Sequence, residues 1–158
     1  MPTKRMLSAA LALLLIAAIP ARANGVPTWT LVDRIPGSAG SYTYSAAALG
    51  DYLYFSSSDD GMNNYELWRT DGTTTVLVQD INTHGATTDS SDPSNFTALG
   101  GYLYFQANDG THGYELWRTN GTTTELVQDI NTGTSGADSS YPYGFTPLGD
   151  YLYFRAND

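Results

Sequence analysis

Few side chains in this sequence have the types and spacing that catalysis or metal binding requires. The two histidines, His84 and His112, each lie in a glycine-containing segment without a second imidazole nearby, and the sequence has no cysteine. A zinc site needs three or four nitrogen or sulfur ligands, which these residues do not supply. A Gly-x-Ser-x-Gly nucleophile elbow, a phosphate-binding loop and a dinucleotide fingerprint are also missing from the sequence. We therefore expect no enzymatic activity, no catalytic residues and no cofactor-binding residues.

Two acidic segments bear a limited likeness to calcium-binding loops. They contain Asp59 and Asp60 before Gly61, and Asp109 before Gly110. Hard cations prefer several closely spaced oxygen ligands, so these three carboxylates are the candidate calcium ligands. The regularly spaced acids and the distal glutamate of an EF-hand are missing, however, and Asp, Asn and Gly are also the residues that form turns. Turn formation is the favoured interpretation, and a calcium-stabilised extracellular repeat protein is the alternative.

Aromatic segments recur along the chain at a nearly constant interval. Tyr52–Phe55 returns after 50 residues as Tyr102–Phe105, and after a further 49 residues as Tyr151–Phe154. A second segment, Tyr65–Thr70, returns as Tyr114–Thr119. A period of this length is typical of repeat architectures, in which no unit buries its apolar face alone and stacked neighbours build a continuous core.

Each unit has the pattern of a short antiparallel sheet. The run Tyr102–Phe105 is apolar or aromatic on both faces, and Tyr114–Thr119 is rich in aromatic residues that favour strands. Asn120-Gly121, matched by Asp71-Gly72 one unit earlier, predicts a hairpin with a type I′ turn, in which both central residues have positive φ. A third strand then follows within 122–130, and residues 145–148 supply a short fourth strand.

The predicted fold class is therefore all-β, with tandem four-stranded antiparallel repeats of about 50 residues that resemble β-propeller blades. No segment after residue 23 has the 3.6-residue apolar period of a helix, which excludes helical solenoids. An open stack of β-meanders is the alternative. Apolar residues on both faces of the strands favour the propeller, because each blade is then covered by two others.

Trp68 and Trp117 have the chemistry to stack on a ligand such as a sugar ring, but their recurrence at one position of the unit favours packing between blades. Glutamate and arginine three residues apart also recur. Such pairs are more often cross-strand or edge partners, worth less than about 1 kcal/mol each, than sites for a charged ligand. These pairs are Glu66 with Arg69 and Glu115 with Arg118.

The first of these motifs, Glu66-Leu67-Trp68-Arg69-Thr70-Asp71-Gly72-Thr73, resembles the defining element of the bacterial ELWxxDGT repeat family. The second copy is Glu115-Leu116-Trp117-Arg118-Thr119-Asn120-Gly121-Thr122, in which Asn120 replaces the aspartate. The resemblance extends over about residues 31–158. It implies an exported bacterial protein built from propeller-like repeats, and it implies no catalytic residues because the motif is structural.

The first 23 residues have the features of a secretory signal peptide. Lys4 and Arg5 precede an apolar run from Leu7 to Ile19, which ends at Pro20 and the small-residue site 21–23. No later segment is apolar enough to cross a bilayer. We expect export to the periplasm, cell surface or extracellular space, without membrane insertion. Removal of the three cations in this segment lowers the net charge from -9 to -12, which disfavours nucleic acid as a partner.

Residues 24–158 are predicted to form the propeller-like region. It would contain an outer strand at about 29–35, blades at about 45–82 and 95–131, and a partial blade at 144–158. Leu31–Ile35 is assigned as an outer strand because it matches residues 77–81 of the next unit. Closed propellers have about 4–8 blades, so we expect an incomplete ring, an open arc that is the N-terminal part of a longer protein.

These observations predict an exported, non-enzymatic repeat protein that acts as a binding, adhesion or structural scaffold module. Its ligand would be a protein or a glycan that the sequence does not identify. The segments that differ most between units, 83–95 and 132–144, are expected to carry specificity, because loops on a rigid scaffold usually do. The alternative from another class is the propeller portion of a secreted hydrolase.

Overall fold

The computed structural model describes residues 45–58, 64–84, 89–133 and 138–158, together with the backbone of two short strands at 16–19 and 28–31. All regular structure in these ranges is β-strand. The described residues therefore contain no helix long and apolar enough to span a membrane. The predicted all-β fold class is confirmed. The twelve strands are β1 (Ile16–Ile19), β2 (Thr28–Leu31), β3 (Ala46–Leu49), β4 (Tyr52–Ser58), β5 (Tyr65–Thr70), β6 (Thr75–Gln79), β7 (Ser94–Leu99), β8 (Tyr102–Asn108), β9 (Tyr114–Thr119), β10 (Thr124–Gln128), β11 (Tyr143–Leu148) and β12 (Tyr151–Arg155).

The strands form repeated antiparallel sheets whose order follows the sequence. Strands β3 to β6 make a four-stranded sheet, here the first blade, and β7 to β10 make the second blade. Strands β11 and β12 pair as the third, two-stranded blade. Register is repeated as well, because Phe55 lies opposite Trp68 in the first blade and Phe105 lies opposite Trp117 in the second. The 49- to 50-residue sequence period is thus a period of sheets.

The hairpin between the last two strands of each full blade is confirmed, but its predicted type I′ turn is wrong. Only the glycines have positive φ, at 89° for Gly72 and 87° for Gly121. Each turn has four residues instead of two, and the preceding acidic or amide side chain closes it. The Oδ1 atom of Asp71 accepts hydrogen bonds from the N–H groups of Thr73 and Thr74, and Asn120 repeats this arrangement. Side-chain acceptors of this kind replace the backbone geometry of a two-residue turn.

The blades stack with opposite faces in contact. Side chains alternate along a strand, so Tyr54 and Leu67 share one face of the first blade, whereas Leu103, Phe105 and Ala107 share the other face of the second. These residues form one buried core between the two blades. The first strands of the three blades also adjoin, because β7 contacts both β3 and β11. This arrangement of inner strands is that of propeller blades arranged as an open arc.

The third blade leaves much of its apolar surface exposed. Leu148, Tyr151 and Tyr153 are 68%, 71% and 55% exposed, whereas Leu103 and Phe105 of the second blade are fully buried. In the first two blades a tryptophan-containing strand pairs with the second strand, and in the third blade β12 pairs with β11 alone. The exposed aromatic residues are consistent with the predicted open arc.

Strands β1 and β2 pair with each other in a separate two-stranded sheet. Strand β1 lies within the segment predicted to be a signal peptide, whose other residues, 1–15 and 20–23, lie outside the described ranges. Strand β2 overlaps the predicted outer strand at residues 29–31, and residues 32–35 lie outside the described ranges. Cleavage after residue 23 and the role of the outer strand stay predictions.

Candidate functional site

The glutamate of each motif is buried and ties its own blade to the segment that begins the next one. Glu66 is 2% exposed and Glu115 is fully buried. One oxygen of Glu66 accepts the Ser91 N–H at 2.9 Å, and the other accepts the Ile81 N–H at 2.9 Å and the Ser91 hydroxyl at 2.5 Å. A buried carboxylate is costly unless its oxygens are hydrogen-bonded, and three donors satisfy that requirement here.

The second blade repeats this arrangement atom for atom. Glu115 accepts the Ser140 N–H at 2.7 Å, the Ile130 N–H at 2.9 Å and the Ser140 hydroxyl at 2.6 Å. We call the contact between the motif glutamate and this serine the glutamate latch. The predicted partnership of each glutamate with the arginine three residues later is wrong, because these two side chains point to opposite faces of a strand.

The latch serine also bonds to both blades through its backbone. Ser91 donates its N–H to the carbonyl of Tyr65 at 3.0 Å, and its own carbonyl accepts the Asn108 N–H of the second blade at 2.9 Å. Ser140 bonds likewise to Tyr114 and to Asn157. One residue thus joins strand β5 of one blade to the end of strand β8 in the next.

Burial raises the pKa of Glu66 to about 7, although the Ser91 hydroxyl and two backbone N–H groups stabilise its charged form. The neighbouring Asp80 carboxylate adds to the increase by repulsion. Glu66 therefore changes its charge within the neutral pH range, and the charge at this blade interface depends on pH.

Sequence reasoning missed the latch serines, although a signal was present. Ser90-Ser91-Asp92-Pro93 recurs as Ser139-Ser140-Tyr141-Pro142, 49 residues later. In both copies the second serine lies 25 residues after the motif glutamate. The two segments lie inside the stretches predicted to vary and carry specificity. Their second serines bond to two consecutive blades. Residues 85–88 and 134–137 of those stretches lie outside the described ranges, and their role in specificity stays a prediction.

The two motif tryptophans pack in apolar clusters. Trp117 packs against the core between the first and second blades. Trp68 is 9% exposed and packs with Phe55 on the face of the first blade that is turned away from the second. Neither indole Nε1 has a hydrogen-bond partner among the described residues. Their contacts are those of packing residues, as the recurrence of the motif predicts.

The two motif arginines have related but unequal surroundings. Each guanidinium lies over a tyrosine ring of the neighbouring strand, with Arg69 at 4.5 Å from the centroid of Tyr52 and Arg118 at 4.4 Å from that of Tyr102. Such stacking stabilises a cation on the negative face of the ring. Arg118 also pairs with Glu125, with 2.6 Å between Nη2 and Oε1. That carboxylate, together with nearby tyrosines, raises the pKa of Arg118.

Arg69 has no such carboxylate, because the residue opposite it on the next strand is Val76. Its Nη1 instead donates to the carbonyl of Gly121 in the second blade at 2.8 Å. Its Nε is buried and has no hydrogen-bond partner among the described residues. Arg69 therefore lies at the contact between blades, and Gly121 is its hydrogen-bond acceptor among the described residues.

A surface cavity of about 410 Å³, here the inter-blade cavity, lies beside Arg69. The first blade contributes the turn between β3 and β4, and the second blade contributes the turns that follow β7 and β9. Its volume falls in the range of about 300–1,000 Å³ that is usual for small-molecule sites. The lining residues are Leu49, Gly50, Asp51, Tyr52, Tyr54, Arg69, Gly101, Asn120, Gly121 and Thr122.

Asp109, one of the calcium candidates, closes its own turn. Its Oδ1 accepts the N–H groups of Thr111 and His112 at 2.8 Å each, and its Oδ2 lies 2.7 Å from Nδ1 of His112. Partial burial raises the pKa of Asp109, but these contacts outweigh it and hold the pKa below its usual value. The Asp109 side chain in turn raises the pKa of His112.

Asp59 and Asp60, the other calcium candidates, lie outside the described residues. Within the described ranges, no three His, Asp or Glu side chains come together as metal ligands would. The described structure therefore offers a cavity between blades, and not a metal centre, as its candidate site. Comparisons with protein-family models, with curated proteins and with solved structures found no match for this chain.

Proposed function

We propose that this chain is an exported, non-enzymatic scaffold module that binds a ligand at the contact between its blades. The observation that carries the proposal is the inter-blade cavity, which is lined by turns of two neighbouring blades. The repeated glutamate latch joins consecutive blades near the other ends of their strands. Binding sites are held best by rigid elements whose positions are fixed by packing and hydrogen bonds. The latch does this through the backbone as well as through side chains.

The chemistry of the described residues favours binding over turnover. Arginine, aspartate, asparagine, threonine and tyrosine side chains line or approach the cavity. The contacts among the described residues create none of the catalytic arrangements that are missing from the sequence. Each buried motif glutamate accepts hydrogen bonds from three donors. A carboxylate enclosed in this way does not reach a substrate.

We also propose that the chain is an ELWxxDGT-type repeat protein. The support lies in the roles that the motif residues have in the fold. Glutamate forms the latch, leucine and tryptophan pack, and aspartate or asparagine with glycine closes the turn. The signal-peptide pattern supports export, and the acidic composition supports a partner other than nucleic acid.

A binding panel tests the proposed function. The full chain would be titrated with a set of glycans and peptides, while product release is monitored on the same ligands. We expect saturable binding without turnover, and a lower affinity in the double variant Ser91→Ala/Ser140→Ala, which removes both latch hydroxyls. Ser94→Ala is the matched control, because among the described residues this hydroxyl accepts only a long 3.4 Å bond from Gln106 of the same blade.

Two results would contradict the proposal. Hydrolysis that disappears when a carboxylate of this region is replaced would support the secreted hydrolase instead. Binding that is unchanged when both latch serines are replaced would show that the latch does not hold the binding surface in place.

A further inference from the structure

We propose that the inter-blade cavity binds a uronic acid residue of a saccharide, with the sugar carboxylate on the guanidinium of Arg69. The inference rests on the proposed binding function and names the class of ligand for that site. It starts from the arginine whose charge the described structure leaves without a carboxylate partner.

The second blade shows what satisfies an arginine at this position. Arg118 lies over Tyr102 and pairs with Glu125, which faces it across the strands. In the first blade the stacking on tyrosine is kept, but Val76 stands where the glutamate would be. Within the described ranges no carboxylate lies close enough to Arg69 to form an ion pair, and a ligand carboxylate would take the place of that missing partner.

The guanidinium of Arg69 is also preorganised for such a ligand. Stacking on Tyr52 and the bond from Nη1 to the carbonyl of Gly121 fix its plane. Arginine carries its N–H donors in a planar fork that matches a carboxylate in a bidentate arrangement, and in Arg69 the donors for a ligand are those of the two Nη atoms that Gly121 does not use, since Nε is buried. Because the side chain is already held in place, little conformational entropy is lost when the carboxylate binds.

The remaining lining groups match a hydroxyl-rich ring. Asp51, Asn120 and Thr122 are exposed residues on the turns that line the cavity, and together they can both accept and donate hydrogen bonds. Sugar hydroxyls need both kinds of partner. Asp51 opposes an anion electrostatically, so the site favours a ligand that carries one carboxylate among several hydroxyls over a ligand that carries negative charge alone.

The position of the cavity favours a saccharide over an extended peptide. It lies where the turns of two blades meet, so its lining comes mainly from turns and not from the side of a strand. Peptides that bind by strand addition need an exposed sheet edge, which these turns do not present. A compact ring fits between turns without such an edge.

Calorimetric titration of the full chain with trigalacturonate tests the inference. We expect saturable binding that weakens at least tenfold in Val76→Glu, which gives Arg69 the same carboxylate partner that Arg118 already has. Val76 is 39% exposed, so the glutamate fits without disturbing the core. Val127→Glu is the matched control, since it adds the same charge at a 37% exposed position on β10.

Removal of the charge tests the same point from the other side. Arg69→Gln should weaken binding at least tenfold, whereas Arg118→Gln, which removes an equal charge at the repeated position, should leave affinity within about twofold of the original chain. Thermal unfolding of each variant checks that the fold is retained. If Arg69→Gln does not fold, the affinity of Val76→Glu for trigalacturonate tests the inference by itself.

Other outcomes overturn the inference in distinguishable ways. Equal affinity for maltotriose would show that the carboxylate is not recognised, and equal affinity for triglutamate would show that the saccharide ring is not recognised. Unchanged trigalacturonate binding in both first-blade variants would place the site elsewhere. No trigalacturonate binding, with binding of another ligand in the glycan and peptide panel, would refute the uronic acid while leaving the scaffold function intact.

Discussion

Replacement of Glu115 by glutamine should destabilise the contact between the second and third blades with almost no change in side-chain shape. The carboxylate accepts one hydrogen bond from the Ser140 N–H on one oxygen, and bonds from the Ile130 N–H and the Ser140 hydroxyl on the other. Glutamine keeps one accepting oxygen and replaces the other with an NH₂ group, which only donates.

The size of the effect follows from counting donors. In either orientation of the amide, its NH₂ group faces one backbone N–H, from Ile130 or from Ser140. The Ile130 N–H would lose its acceptor, whereas the Ser140 N–H would keep its second bond, to the carbonyl of Tyr114 at 3.1 Å. The Ser140 hydroxyl can rotate and accept from the amide, so its loss adds little. Leaving a buried donor unsatisfied costs about 1–3 kcal/mol, and a bond to a charged group contributes about 1.5–3 kcal/mol. Because the amide can orient so that only the Ser140 N–H faces its NH₂ group, we expect a total loss of about 1–3 kcal/mol.

Urea unfolding of the full chain, followed by tyrosine and tryptophan fluorescence, measures this loss. With a slope of roughly 2 kcal/mol per molar urea, the midpoint should fall by about 0.5–1.5 M. Glu125→Gln is the matched control, because it makes the same chemical change at a 45% exposed side chain of the same blade. Hydrogen exchange at the amides of Ile130 and Ser140 should be faster in the Glu115 variant alone.

One result would refute this reasoning. If Glu115→Gln and Glu125→Gln have the same unfolding midpoint and the same amide protection, the buried glutamate does not hold the blades together. The serine contacts would then be a consequence of blade packing and not one of its causes.

Three further predictions concern single groups. The pKa of Glu66 is raised from 4.5 to about 7 in the folded state, so the folded state binds the proton more tightly than the unfolded state does. The free energy of unfolding should therefore fall by up to about 3 kcal/mol as pH rises from about 4.5 to 7. Urea unfolding curves of Glu66→Gln should lack this dependence on pH. Gly121→Ala should lower the thermal unfolding temperature more than Gly100→Ala does. Both glycines have positive φ, but only a methyl group at position 121 would meet the Tyr54 hydroxyl and Arg69. Equal changes in unfolding temperature would mean that backbone strain alone causes the loss. Asp109→Asn should lower the pKa of His112 in an NMR titration, and an unchanged titration would exclude the pair at 2.7 Å. The raised pKa of His112 contributes stability that is fully present below pH 6.5 and is lost as pH rises through the folded-state pKa.

The repeat made much of the fold predictable. Hairpins, sheet order and the covering of both strand faces follow from the aromatic segments and the glycine-containing turns, because these patterns depend on residues close together in the sequence. The turn type was not predictable in this way. Type I′ geometry was expected for Asp71-Gly72, but the aspartate side chain accepts two backbone N–H groups and stabilises a longer turn.

The candidate site was harder to predict, because its parts come from different blades. The sequence identified Arg69 but assigned it Glu66 as a neighbour, and the alternation of side chains along β5 separates the two. The cavity beside Arg69 is formed with Gly121, which is 52 residues away in the sequence. Only the stacking of one blade on the next brings these two residues together.

The sequence by itself determined the all-β repeat, the length of its unit and the packing role of the motif tryptophans, since these depend on local pattern and on recurrence. The tertiary structure decided how the polar residues of the repeat are used. Glu66 and Glu115 accept bonds from serines 25 residues away. The difference between Val76 and Glu125 leaves one of two equivalent arginines without a carboxylate partner in the part of the chain that the structure describes. Hydrogen bonds and ion pairs depend on distance in space, which the repeat pattern alone does not specify.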